Sequence, residues 1–424
     1  MHDFYYLRSM IYELTAPDRV NLTISLPSSK SILARALLLQ RLAGSGHLQY
    51  SQPCEDSLFM QQALTSEETE IHVGKAGTCL RFLSAFFATQ PGTHILDGTE
   101  QLRHRPIGLL VDALRHLGAD IEYLQEEGFA PIRIKGKPLA GGTLEMPGTV
   151  SSQFISALLL IAPTLPHGLH LKLAQTPVSK PYINLTIAMM TAYGADVRWL
   201  ESGRELLVKP GHYRPIDYKT EGDWTAASYW YELLALMEDN SSKIEMDGLL
   251  LNSPQGDDMA KYIFRTFDIK TQSSKNGVLI SPPLYTPPHK ERPDFDFDFT
   301  QYPDLAPTVV CTCLGCGRHF WFTGLDTLRQ KECDRIEALV SEARKLGFVL
   351  EATAENHLIW KGERCEPSEE PISPHDDHRI AMAFAPLATK FPKMRIKDVE
   401  VVVKSYPAFW DDLRKAGFQI NTIE

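Results

Sequence analysis

The feature that most constrains this chain is a recurrent order of amphipathic helix, glycine turn and extended segment. It is clearest in LLVDALRHLGADIEYL (109–124), NLTIAMMTAYGADVRWL (184–200), IEALVSEARKLGFVLEA (336–352) and FWDDLRKAGFQINT (409–422). Gly118, Gly194, Gly347 and Gly417 stand where a helix C-terminus calls for a left-handed residue, and the alternating residues beyond them fit strands. Weaker copies begin at Ser57 and Asp257, making six units that split into two sets of three. Helices alternating with strands predict an α/β fold in which sheets enclose buried helices.

At 424 residues the chain exceeds what one hydrophobic core normally serves, so at least two domains are expected. Its 43% hydrophobic and 23% charged residues place it in the globular class. Pro163 ends the apolar run Ala157–Ala162 far short of a membrane span. The opening MHDFYYLRSM lacks the order of a secretory signal, which predicts a cytoplasmic protein, and IYELTAP after Met10 already reads as a first strand, so that Met10 is an alternative start. The formal net charge of −10 excludes a broad basic face for nucleic acid. Any anion site must therefore be a local cluster. Seven scattered cysteines read as free thiols; Cys313-Leu-Gly-Cys316 lacks a second ligand pair, so neither a metal nor another cofactor is expected. Those cysteines follow Thr308-Val-Val as small residues on a packed helix. The proline-rich run from Ser281 and the acidic stretch 363–377 read as irregular loops.

Polar donors fall repeatedly at helix starts. In LPSSKSILARALLLQ, serines precede an apolar run, so a helix begins near Lys30 under a serine cap, with Ser31 and Arg35 on one face and Leu33, Ala36, Leu37 and Leu38 on the core face. A free helix N-terminus beside an ammonium and a guanidinium suits an anion. GKAGTCLR puts Gly74 and Gly77 before another start, with Arg81 one turn in; RHRP carries Arg105 ahead of Pro106 in a first helical turn; Ser151, Ser152 and Gln153 open FISALLLIAP; Ser179 precedes Lys180-Pro181-Tyr182. Starts that converge make a strong anion site, and scattered ones are only caps. The densest cluster, Lys331-Glu332-Cys333-Asp334-Arg335, reads as the beginning of a helix, with Lys331 and Arg335 on one face and Glu332 at its edge. Asp376-Asp377-His378-Arg379 stands at the mouth of an apolar helix, and Lys404-Ser-Tyr-Pro is expected to start the last one.

Taken in order, PSSKSILARALLL, GKAGTCLRF, RHRPIG, SSQF, SKPY, EGDW, QGDD, YPDL, LRQKECDR, DDHRIAMAF and VKSYPAF resemble the 5-enolpyruvylshikimate-3-phosphate synthase family of enolpyruvyl transferases, from Leu26 to Phe409. The resemblance implies two domains of three βαβαββ repeats each, an inside-out α/β barrel-like arrangement with the active site in the interdomain cleft. One domain would span 28–221 and the other 1–27 plus 222–424. The implied reaction moves the enolpyruvyl group of phosphoenolpyruvate to the 5-hydroxyl of shikimate 3-phosphate, in a monomer, without nucleic acid or membrane partners. Matched position by position, Lys30, Ser31, Arg35, Ser151, Ser152, Gln153, Ser179, Tyr182, Asp304 and Lys331 would hold shikimate 3-phosphate. Lys30, Gly77, Arg105, Gln153, Arg335, Arg379 and Lys404 would hold phosphoenolpyruvate. Asp304 would accept the hydroxyl proton, Glu332 would serve C3 of the donor, Lys30 would also be placed for proton transfer, and Arg81 and His378 would support them. Lys75, Phe82 and Thr327 depart from the family pattern. The alternatives are an enolpyruvyl transferase acting on UDP-N-acetylglucosamine and a non-catalytic anion-binding relative. Ser31 after Lys30 and the KECDR sequence speak against the first, and the retained Asp304, Glu332 and Lys30 against the second.

Overall fold

The computed structural model describes residues 10–283 and 293–423. The opening segment before Met10 and most of the proline-rich run lie outside them. The chain forms two compact units: one comprises Ser28–Glu221 with Pro254–Gly256, the other the segment ending at Pro27, Gly222–Ser253 and the chain from Asp257 onward.

One strand pattern is used in both units. In the 28–221 unit a sheet runs Glu70–His72, Gly92–Asp97, Ile132–Gly136, Asp120–Tyr123, and a second runs Gly142–Met146, Leu169–Leu173, Glu205–Val208, Val197–Trp199. In the other unit the corresponding sheets run Asn21–Ser25, Lys243–Asp247, Gly277–Ser281, Lys270–Ser273 and Phe295–Asp298, Phe320–Thr323, Leu358–Trp360, Glu351–Ala352. In each, the first pair is parallel and the next two are antiparallel, as with Ile71 opposite Leu96 and Ile121 opposite Ile134. That is the βαβαββ order, because a parallel pair requires a crossover helix and an antiparallel pair only a turn. The Asn21–Ser25 strand is parted from its partner Lys243–Asp247 by the whole 28–221 segment.

The glycine turns are real. Gly118, Gly194, Gly347 and Gly417 have φ of 102°, 89°, 86° and 102°. In the copy that begins at Asp257 the place is taken by Asp268, φ 66°, whose N–H bonds Arg265 O as Gly118 N–H bonds Arg115 O. A short polar side chain tolerates this conformation better than most, which is why that copy lacked the glycine signal. The copy from Ser57 differs: the strand after its helix, Glu70–His72, opens the next sheet in parallel with Gly92–Asp97, whereas the other five strands pair antiparallel.

The core of each unit is helical. Gly77–Thr89 and Ser152–Ile161 in one unit, and Trp224–Leu236, Ala306–Gly315 and His378–Phe384 in the other, are buried along nearly their whole length. Helices apolar on every side have no solvent face to offer, so the sheets cover them. Cys311 and Cys313 are fully buried in one of these helices, and all seven cysteines are free thiols. Among the described residues no helix is long and apolar enough to cross a membrane.

Candidate active site

In the 28–221 unit the helix starts that serines mark hold. Lys30–Ala43 is capped by Ser29, whose hydroxyl accepts from Ile32 N–H; Ser152–Ile161 is capped by Ser151, which accepts from Gln153 N–H at 3.3 Å; Lys180–Ala192 follows Ser179, held at φ 52°, whose carbonyl accepts from Tyr182 N–H at 3.1 Å. Pro106 does not lie in a helical turn: the helix it precedes begins at Gly108, and Arg105 belongs to the bend between it and the short Glu100–Arg103 helix.

These starts converge. Arg35 is only 3% exposed, so it is not on a solvent face opposite the core. Its guanidinium donates to Thr186 Oγ1 (2.7 Å), Ser31 O (2.7 Å), Ser156 Oγ (3.3 Å) and Tyr182 O (3.3 Å), joining three helices near their first two turns. Burial lowers its pKa to about 10, which leaves it cationic at neutral pH. Gln153 ties in the fourth helix: its Oε1 accepts from Arg81 Nη1 at 2.8 Å and its Nε2 donates to Thr78 Oγ1 at 3.0 Å. A Cβ at Gly77 would lie 2.6 Å from Arg81 Nη1 and 2.7 Å from Arg105 Nη1, so the missing side chain is what admits two guanidinium groups to this helix start. Lys30 Nζ stands 3.3 Å from Asp56 Oδ2, a partner no local pattern revealed. Ser31 and Tyr182 are half-buried, Ser152 and Ser179 buried.

The other unit holds a network of charge. Asp304 lies in the 3-10 turn Pro303–Leu305. Its Oδ1 meets Lys331 Nζ at 3.1 Å and Arg335 Nη1 at 3.0 Å, and its Oδ2 meets Arg379 Nη2 at 2.9 Å. Arg335, 1% exposed, also contacts Glu332 Oε2 (3.0 Å) and Asp377 Oδ2 (2.7 Å), while Glu332 Oε1 faces Lys404 Nζ at 3.5 Å. Burial alone would raise the Asp304 pKa, but Arg379, Lys331 and Arg335 hold it well below the usual carboxylate range. Burial lowers the Lys331 pKa, with Asp304 opposing. Arg335 is driven the other way: its burial cost is outweighed by Asp377, Glu332 and Asp304.

Two expectations about this cluster change. Lys331 and Glu332 are not on a helix; the helix is Arg335–Lys345, capped by Asp334, whose Oδ1 accepts from Ile336 and Glu337 N–H. An aspartate two residues ahead of the apolar repeat is itself an N-cap signal, and it outweighs the i,i+4 spacing. Lys331 and Arg335 are brought together instead by Asp304. Lys404 does not start the last helix either: it ends the 3-10 segment Val399–Lys404, and the helix is Phe409–Lys415. Asp377 was legible only as part of a charged quartet; it caps His378–Phe384 through Arg379 N–H at 2.9 Å while holding Arg335. Among the described residues no group of His, Cys, Asp and Glu is arranged to hold a metal ion.

Residues 48–413 match the profile of EPSP synthase (3-phosphoshikimate 1-carboxyvinyltransferase). A Bacteroides fragilis (strain YCH46) protein named 3-phosphoshikimate 1-carboxyvinyltransferase is 45% identical over 417 residues, covering 98% of this chain and 100% of the relative. One of the same name from Cellvibrio japonicus is 34% identical, covering 92% of this chain and 95% of the relative. An EPSP synthase structure from Acinetobacter baumannii superposes with a TM-score of 0.77 at 20% identity, covering 98% of this chain and 100% of that one, which speaks to the two-domain fold.

Proposed function

Because the chain belongs to the EPSP synthase (3-phosphoshikimate 1-carboxyvinyltransferase) family, we propose that it catalyses the enolpyruvyl transfer of the shikimate pathway. It moves the enolpyruvyl group of phosphoenolpyruvate to the 5-hydroxyl of shikimate 3-phosphate and releases phosphate. The chemistry needs a base for the hydroxyl, an acid for C3 of the donor, and cations for two anionic substrates. The observation that carries the reading is the pairing of two carboxylates, Asp304 and Glu332, on the single buried guanidinium of Arg335.

Asp304 is the base. Surrounded by Arg379, Lys331 and Arg335 it is ionised but weakly basic. An anionic substrate that engages Arg379 and Lys331 draws their charge away and raises its proton affinity, so basicity appears when substrate is present. Glu332 exchanges the proton at C3, with Lys30 also assigned to proton transfer. Shikimate 3-phosphate is held by Lys30, Arg35, Ser31, Ser151, Ser152, Gln153, Ser179, Tyr182 and Lys331. A guanidinium has five N–H groups, and Arg35 commits four hydrogen bonds to protein groups, so its main part is to fix Ser31 and Tyr182. Phosphoenolpyruvate is held by Arg105 and Gln153 beside Gly77, and by Lys30, Arg335, Arg379 and Lys404. Every role is filled from this one chain, which supports a monomer, and seven free thiols suit the reducing cytoplasm.

A coupled phosphate-release assay tests the reading. Release from phosphoenolpyruvate is expected with shikimate 3-phosphate and not with UDP-N-acetylglucosamine, and a chelator leaves it unchanged. Release with the nucleotide sugar alone, or loss on chelation, overturns it. Light scattering tests the monomer: the expected mass is that of one 47.7 kDa chain.

A further inference from the structure

The Arg335–Lys345 helix carries two buried charged side chains seven residues apart, Arg335 in its first turn and Glu342 near its end. Seven residues are about two turns, so both project from one face. That face is fastened at two points to the irregular stretch leading into His378–Phe384. At one end Arg335 Nε meets Asp377 Oδ2 at 2.7 Å. At the other Glu342, 1% exposed, accepts from Ser373 N–H through Oε2 at 2.8 Å and from His375 Nε2 through Oε1 at 2.7 Å. Lys345 Nζ lies 2.8 Å from Glu342 Oε2 and donates to Pro371 O at 3.1 Å.

Between these fastenings His375 and Asp376 have φ of 52° and 59°. Two successive non-glycine residues in the left-handed region are costly and persist only when their surroundings hold them. The next residue is Asp377, which grips Arg335 and caps the helix from which Arg379 reaches Asp304. An apolar residue would occupy the place of Glu342 with less desolvation, whereas the carboxylate adds direction to a loop that has little regular structure of its own.

We propose that Glu342, with His375 and Lys345, is a positioning clamp that holds 371–377 in the conformation presenting Asp377 to Arg335, and thereby aims Arg335 and Arg379 at the donor substrate. The inference rests on the function proposed above for Arg335 and Arg379. Glu342 is a positioning residue and touches no substrate.

The test compares Glu342→Ala, Glu342→Gln and His375→Ala with the wild-type chain by steady-state kinetics in both substrates, well below the melting temperature of each variant, and by hydrogen exchange across 371–384. Glu342→Ala is expected to raise KM for phosphoenolpyruvate about tenfold with KM for shikimate 3-phosphate within about twofold, and to speed exchange at 373–379. His375→Ala removes a ring 39% exposed, leaves the core intact and gives the same pattern at about threefold. Glu342→Gln retains an acceptor for Ser373 N–H and falls between them. A fall in kcat that merely follows the folded fraction, with both KM values and the exchange unchanged, overturns the clamp. Should Glu342→Ala fail to fold, His375→Ala decides by the same criteria. A wild-type chain without enolpyruvyl transfer overturns the function instead, and the exchange measurement still decides the clamp.

Discussion

The two units hold their most buried arginines, Arg35 and Arg335, in opposite ways. In the 28–221 unit Arg35 is positioned by a threonine, a serine and carbonyls, and Arg81 donates to the amide of Gln153, while Lys30 faces the Asp56 carboxylate. In the other unit Arg335, Arg379, Lys331 and Lys404 are positioned by Asp304, Glu332 and Asp377. The first arrangement, around Arg35, fixes positive charge without neutralising it, which suits steady binding of an anion. The second stores each cation against a carboxylate, so an arriving anion redistributes charge and changes what the carboxylates do with protons. On the function proposed above, a binding platform and a proton-handling network would thus be built from the same residue types by a different choice of partners.

Substitutions test that contrast. The largest effect is expected for Asp304→Asn, which strips the common partner from three cations and removes the proposed base. Turnover should fall by about three orders of magnitude, within the span for losing a general base, and shikimate 3-phosphate should bind more weakly. Full activity would remove Asp304 from the chemistry. Next is Glu332→Gln: turnover falls at least about a hundredfold, shikimate 3-phosphate affinity stays within about tenfold, or 1.4 kcal/mol, and solvent deuterium no longer enters C3 of phosphoenolpyruvate. Undiminished deuterium incorporation would assign that proton to Lys30 or another group.

On the platform side a smaller effect is expected. Gly77→Ala places a methyl where two guanidinium groups sit, and these are the ends of flexible chains that can move aside. KM for phosphoenolpyruvate should rise about tenfold, roughly 1.4 kcal/mol, with little change in melting temperature; a large stability loss would mean that the glycine serves the backbone instead.

The smallest effect is a pH slope. Asp304 titrates lower folded than unfolded, so its contribution to stability is present above its ordinary pKa near 3.8 and is lost as pH falls through the folded value. Glu232, buried in Trp224–Leu236 with neither carboxyl oxygen hydrogen-bonded among the described residues, is pushed the opposite way by burial, so stability falls as pH rises above its ordinary value near 4.5. Each slope is at most about 1.4 kcal/mol per pH unit. Urea denaturation between pH 3 and 8 should therefore show Glu232→Gln gaining stability on the wild-type chain with rising pH, and the deficit of Asp304→Asn shrinking in acid. Parallel curves would show that neither environment differs between the folded and unfolded chain.

Local chemistry was legible along the chain and connectivity in space was not. Serines before apolar runs located Lys30 and Ser152 as helix starts, because a side-chain cap is decided within three residues, and Ser179 marked Lys180 although its hydroxyl caps no N–H there. Lys331 and Glu332 were misread as helical because their spacing matches a helical face, while Asp334 ends the turn before it. Asp56, Thr186 and Ser156 carried no signal, since each matters only through a side chain far away in sequence.

The sequence by itself determined the repeat, the helix starts that serines mark in the 28–221 unit, and the residue types of the proposed site. Glycine turns, caps and apolar periodicity act over a few residues, and short-range sterics and hydrogen bonding settle them. The tertiary structure alone decided that four helix starts meet through Arg35 and Gln153, and that Asp304 gathers Lys331, Arg335 and Arg379. Those contacts join residues up to 151 positions apart. Their energy depends on burial, and burial exists only once the sheets have closed over the helices.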